Sequence, residues 1–241
     1  MSTSVLYDDV EIPNFITITN VSVQVLPNIE NNFLSAPRMV GAIDAGHSLG
    51  TKIISLDFLI KDKSIGAVEK SELLAEWLRI DDLKARKLVL PSHIGSYYMA
   101  KPNNSINLTD NITTYKGTIE FICINPYRFS DILMNVEGTK VIYAGSINTD
   151  PVLVLNVTSN CETIKLEIKN RAYDNFINLI GPFVVGDVIK IDLSTSKLYK
   201  NDVEDMSLWG LNSNKHKLCK GINEYSLNNA TLLIQYREVY A

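Results

Sequence analysis

The sequence predicts a mainly β protein of two domains: an amino-terminal β-sandwich-like domain with one α-helix and a projecting arm, then a carboxy-terminal β-sandwich. Three observations predict this. Long stretches near the amino terminus alternate apolar and polar residues with period two, a single segment switches to a period near 3.6, and the last third holds short strands at regular spacing with turn residues between them. A chain of 241 residues with 46% hydrophobic and 21% charged residues has the apolar content to bury two ordinary cores.

Residues 15–26 (FITITNVSVQVL) alternate, with Val21, Val23 and Val25 on one face, and stop at Pro27. The pattern dissolves over residues 28–51 into polar and small residues, a stretch long enough to predict an arm that reaches outside its own domain. Residues 52–60 (KIISLDFLI) resume alternation, with Ile54, Leu56 and Phe58 on one face. Val68, Leu73, Leu74, Trp77 and Leu78 then recur at helical spacing against Glu69, Lys70, Glu72 and Glu76, which predicts one helix over residues 67–78. Trp77 among leucines at this spacing reads as core rather than as a ligand platform. Strands follow at residues 85–90, 96–101, 105–108 and 115–124, the last closed by Asn125-Pro126-Tyr127.

After residues 131–142, strands are predicted at 152–158, 163–169, 175–180, 188–193, 197–200, 220–227 and 230–236. Gly181-Pro182, Gly186-Asp187 and Asn228-Asn229 punctuate them, as in a β-sandwich. The texture changes between residues 136 and 149, so the domains are expected at 1–135 and 136–241.

Lys and Arg total 23 against 27 Asp and Glu, a net charge of −4, which argues against a surface that neutralises many phosphates. Cys123, Cys161 and Cys219 form no CxxC pair, and their odd number suits a reducing compartment. The start, with Asp8, Asp9 and Glu11, has neither the basic nor the apolar region of a secretion signal, so synthesis in a cytosol is expected. Apolar runs such as residues 177–180 are broken long before membrane-spanning length. The Asn-x-Ser/Thr triplets at Asn107, Asn111 and Asn156 then read as turns and strand ends rather than glycosylation sites.

No catalytic spacing emerges, and the chain is expected not to be an enzyme. Residues 41–50 (GAIDAGHSLG) match no phosphate-binding or nucleophile-elbow pattern, and their glycines serve turns. Asp8-Asp9 and Asp81-Asp82 are adjacent pairs that point apart and make poor proton-sharing dyads. His47, His93 and His216 are scattered, and no metal site or cofactor is expected. Trp209 and Tyr225, with His216 and Arg237 beside them, are the candidate glycan or partner contacts, set against the plainer reading that a Trp before a sandwich strand caps the core.

A series of landmarks is shared with a known family. Residues 73–78 with Trp77, then KLVL at 87–90, Tyr97-Tyr98-Met99-Ala100, GTIEFIC at 117–123 and Asn125-Pro126-Tyr127 resemble the amino-terminal domain of siphophage distal tail (Dit) proteins. That family carries a helix ending in Trp-Leu, a Tyr-Tyr-x-Ala region and a strand ending Phe-x-Cys-x-Asp-Pro-Tyr. This chain departs at Asn125, where an acidic residue is common, and in its short Pro91-Ser92-His93 turn. Gly138-Thr139, Asp150-Pro151, the segment 186–192 and LCKGIN at 218–223 are similar to the family's galectin-like carboxy-terminal domain. The length leaves no room for the inserted carbohydrate-binding module of longer members.

The resemblance implies a structural protein forming a homohexameric ring at the virion tail tip of a long-tailed phage or tail-like particle. Its implied partners are the tail tube, tape measure, tail-tip and receptor-binding proteins, with DNA passing through the lumen unrecognised and no membrane contact. An arm that reaches the neighbouring subunit is a family feature, and Phe33, Leu34, Arg38, Met39, Val40 and Ile43 are the interface residues expected on it. The apolar members of this set suit burial better than water. A carbohydrate-binding accessory that recognises host cell-wall polymer is the alternative function.

Overall fold

Lys52, Ile54, Leu56, Phe58 and Ile60 point inward while Ile53 and Asp57 stand outside, so the period-two pattern is realised residue for residue. The computed structural model describes residues 4–61, 66–103, 109–111, 114–172 and 174–241. The chain divides into two compact units, Met1–Arg128 and Phe129–Ala241. The expected strand at 105–108 lies outside the described residues.

The first unit contains β1 (Leu6–Tyr7), β2 (Val10–Glu11), β3 (Ile16–Val23), β4 (Ile29–Leu34), β5 (Ile43–Leu49), β6 (Lys52–Ile60), α1 (Ala67–Trp77), β7 (Arg86–Val89), β8 (Ser96–Asn103), β9 (Thr109–Asn111) and all but the last two residues of β10 (Thr114–Ser130). One sheet runs β2-β1-β7-β8-β10-β6-β3, with β9 paired to β10, while β4 and β5 pair only with each other. Ile54, Leu56, Phe58, Leu88, Ile119 and Phe121 form the core of this sheet together with Leu74, Trp77 and Leu78 from the helix and its end. Trp77 is central to it, as its spacing predicts. Its ring meets Tyr7 at 5.8 Å and Phe121 at 6.3 Å, both edge-on, and its indole N–H donates to the Val10 carbonyl at 3.1 Å.

The two-residue strands β1 and β2 are absent from the sequence reading because two residues show no period. Asp8 and Asp9 both take positive φ between them, the geometry of a tight hairpin turn. Asp8 meets Arg86 at 2.6 Å, which itself holds Asp82 at 2.9 Å. The two acidic doublets are thus turn and loop structure.

The second unit contains β11 (Met134–Glu137), β12 (Lys140–Tyr143), β13 (Val152–Val157), β14 (Cys161–Lys169), β15 (Asp174–Phe183), β16 (Val188–Asp192), β17 (Lys197–Lys200), β18 (Val203–Glu204), β19 (Gly221–Leu227), β20 (Ala230–Tyr236) and β21 (Val239–Tyr240). A six-stranded sheet, β11-β20-β13-β16-β17-β18, and a four-stranded one, β12-β19-β14-β15, enclose a core that includes Leu153, Leu155, Leu166, Ile177, Ile191 and Ile234. The edge of β15 is covered by the chain that follows β18. Gly210 N donates to Asn178 O at 2.8 Å and Asn214 N to Phe176 O at 2.9 Å. The whole is mainly β with one α-helix among the described residues, as the sequence predicts.

Candidate functional site

The segment without alternation folds as a hairpin. β4 and β5 pair antiparallel with Ile29 opposite Leu49, Asn31 opposite His47 and Leu34 opposite Ile43. Between Asn31 and Phe33 the partner moves from His47 to Asp44, so β5 carries one extra residue there. Gly46 accommodates the bulge at φ +98°, and its N–H donates to the Asp44 carboxylate at 2.9 Å. At the foot of the hairpin Gly50 N donates to Asn28 O at 2.7 Å, and a Cβ on Gly50 would meet that oxygen at 3.1 Å.

Every residue of both strands is exposed. Phe33 is 64% exposed and Leu34 62%, and Met39, Val40 and Ile43 are exposed with them. Adjacent strand residues point to opposite faces, so Phe33 and Leu34 make both faces apolar near the tip. Arg38 takes positive φ in the connection between the strands, where Met39 N donates to Ala36 O at 3.1 Å. A two-stranded ribbon with no core of its own is marginal in water. This arm therefore presents apolar surface and two unpaired edges that a further surface would have to cover.

The aromatic pair of the second unit is placed differently from the sequence expectation of a contact face. Tyr225 is only 4% exposed, and its hydroxyl lies 3.1 Å from His216 Nε2. On β19 it shares inward parity with Asn223, while Ile222, Glu224 and Ser226 face out. Trp209 is half-buried against the same core, and it bridges to Leu179. Neither ring forms an open stacking platform, and core capping describes Trp209. His216, grouped with these rings in the sequence as part of a possible sugar-stacking surface, is buried instead: burial pushes its pKa down to about 4, so it is a neutral core group.

Among the described residues no group of three or more His, Cys, Asp or Glu is placed to hold a metal ion. No helix among them is long and apolar enough to cross a membrane. Burial raises Cys123 to about 11, so it is a protonated thiol at neutral pH rather than a nucleophile.

Two family models match the chain. Residues 10–123 match a phage tail protein RIFT-related domain, and residues 144–240 match the carboxy-terminal domain of a siphovirus-type tail component. The chain belongs to the siphophage distal tail (Dit) protein family. Its fold is that of the phage SPP1 Dit protein, with a TM-score of 0.80 at 14% identity over 99% of both chains. That protein is described as a paradigm of hub adsorption apparatus in phages infecting Gram-positive bacteria. The phage P2 baseplate in its activated conformation with Ca matches with a TM-score of 0.43 at 9% identity, over 96% of both chains. No curated protein sequence matches. This Dit protein is thus a structural component of a phage tail.

Proposed function

We propose that this Dit protein assembles as a homohexameric ring that joins the tail tube to the tail-tip or baseplate and the receptor-binding apparatus. The ring-forming part is the amino-terminal domain, residues 1–135, and the galectin-like domain, residues 136–241, serves attachment of tail-tip proteins. The tail tube and tape measure proteins are the partners on the tube side. The protein acts at the virion tail tip after synthesis in the host cytoplasm.

The observation that carries this reading is the β4–β5 arm, which exposes Phe33, Leu34, Met39, Val40 and Ile43 on a ribbon with no core. Burying one such side chain contributes about 1.5–3 kcal/mol, so a neighbouring subunit that covered several would offset the cost of association. Deleting residues 31–50 tests the reading. Light scattering should show the ring reduced to monomers while circular dichroism keeps the β signal, and an intact hexamer from the deletion protein would refute it. Negative-stain images of the full chain should show a six-fold ring with a central hole. A net charge of −4 suits a lumen that passes DNA without holding it, and a continuous Lys/Arg collar on the inner wall would contradict that. Trp209 and Tyr225 form no open aromatic face that would favour the carbohydrate-binding alternative.

A further inference from the structure

Helix α1 ends in a turn that keeps a side chain where glycine is usual. Arg79 N donates to Glu76 O at 3.0 Å and Ile80 N to Ala75 O at 3.5 Å, the paired bonds of a helix that stops through a left-handed residue. Arg79 is that residue, at φ +51°, and it meets the Asp8 carboxylate at 3.8 Å. The turn leaves Ile80 55% exposed.

Beside this turn lies a groove of about 180 Å³. Val10 and Pro13 line it from β2 and the chain that follows, Leu73 from α1, and Trp77 is its most buried lining residue. The bond from the Trp77 indole N–H to Val10 O ties strand to helix, so the groove stands formed before anything enters it. An apolar cavity of roughly 150 Å³ takes one benzene ring, so this groove has room for one aromatic or branched aliphatic side chain. Its mouth is apolar and wet, with Val10 and Leu73 both exposed.

The rim is acidic. Glu69, Leu73 and Glu76 recur at helical spacing on one face, with Glu72 beside them, while Glu11 and Glu76 themselves line the groove. Glu69, Glu72, Glu76 and Asp81 are exposed and pair with no cation among the described residues. The neighbouring cations are engaged elsewhere: Arg79 and Arg86 meet Asp8, Lys84 meets Asp82 and Lys87 meets Asp9. We infer that this groove docks a basic segment of a different tail protein. One aromatic or branched aliphatic side chain enters between Val10 and Leu73, and Lys or Arg on either side of it meets Glu11, Glu72 and Glu76. A second copy of this chain is the poorer electrostatic match, because it brings a net charge of −4. The surface is separate from the arm, and the inference does not require the ring.

The test titrates the full-length chain with three end-capped peptides, Lys-Lys-Phe-Lys-Lys, Glu-Glu-Phe-Glu-Glu and Lys-Lys-Gly-Lys-Lys, and follows the Val10 and Leu73 amides and the Trp77 indole N–H by NMR. The first peptide should bind about tenfold or more tightly than either of the others, and its affinity should fall as salt rises from about 0.05 to 0.5 M. Glu72→Lys/Glu76→Lys, on exposed positions, should weaken it about tenfold or more. Glu137→Lys/Glu162→Lys changes net charge equally on exposed positions of the second unit and should leave binding unchanged. Leu73→Asp should abolish it. No binding, equal affinity for the Lys- and Glu-flanked peptides, or full affinity in Glu72→Lys/Glu76→Lys would overturn the inference. The same double variant should scatter light like the parent. If the parent forms a ring that this variant loses, the groove holds a second copy and the inference is overturned while self-assembly stands. A parent that stays monomeric overturns the ring, and the peptides still decide the groove.

Discussion

The Nε2 of His216 and the hydroxyl of Tyr225 lie 3.1 Å apart inside the second unit, with the two rings edge-on at 5.6 Å. His216 is only 2% exposed and its Nδ1 has no partner, so the charged form has no compensation there. Its pKa falls to about 4 in the fold from an ordinary 6.5. Between these values the unfolded chain binds the proton and the folded chain does not, so stability rises with pH across that window. Below about pH 4 the second unit should have lost roughly 3 kcal/mol relative to pH 7 from this group. Thermal unfolding at a series of pH values checks it. His216→Gln should flatten the slope between pH 4 and 6.5, and an unchanged slope would show that other groups set it.

Tyr143 is a second buried tyrosine of this unit. Its hydroxyl donates to Ile147 O at 2.6 Å and accepts from Val239 N at 3.0 Å, which ties β21 to the sandwich. Tyr143→Phe leaves two backbone groups without their partner and should cost about 1–3 kcal/mol, read from urea unfolding. Hydrogen exchange at the Val239 amide should accelerate in the same variant.

Trp77 carries the packing of α1 on the first sheet. Trp77→Ala removes the ring contacts with Tyr7 and Phe121 and the bond to Val10 O, and should cost about 3–5 kcal/mol. Because the division falls at Arg128, calorimetry should show the loss in one transition and leave that of the second unit in place.

The arm behaves oppositely. Phe33, Leu34 and Ile43 are exposed in the single chain, so the triple change to serine should leave monomer stability within about 0.5 kcal/mol. Sedimentation should nevertheless show the assembly weakened, because the same side chains are lost from the proposed subunit contact. A triple variant that assembles like the parent would remove the arm's apolar residues from that contact.

Legibility followed burial. β6 and α1 each have one face in the core, so selection for apolar residues imprinted periods that are readable directly. Every residue of β4 and β5 is exposed among the described residues, and IENNFL and IDAGHSL accordingly carry no period, although they pair with each other in an antiparallel register broken by one bulge. Tyr225 shows the converse. Strand parity on residues 221–227 places it inward beside Asn223, but the apolar Ile222 on the outward face obscured the assignment.

The sequence by itself determined two β-rich units, one helix with Trp77 in its core, an arm over residues 28–51, and the family, because each leaves a local pattern. The tertiary structure alone decided that the arm is a bulged ribbon, that His216 rather than solvent meets Tyr225, and that β3 stands at the end of its sheet among the described residues. Which strands become neighbours, and which edge is left over, depends on contacts between residues far apart in the chain, and no local period records them.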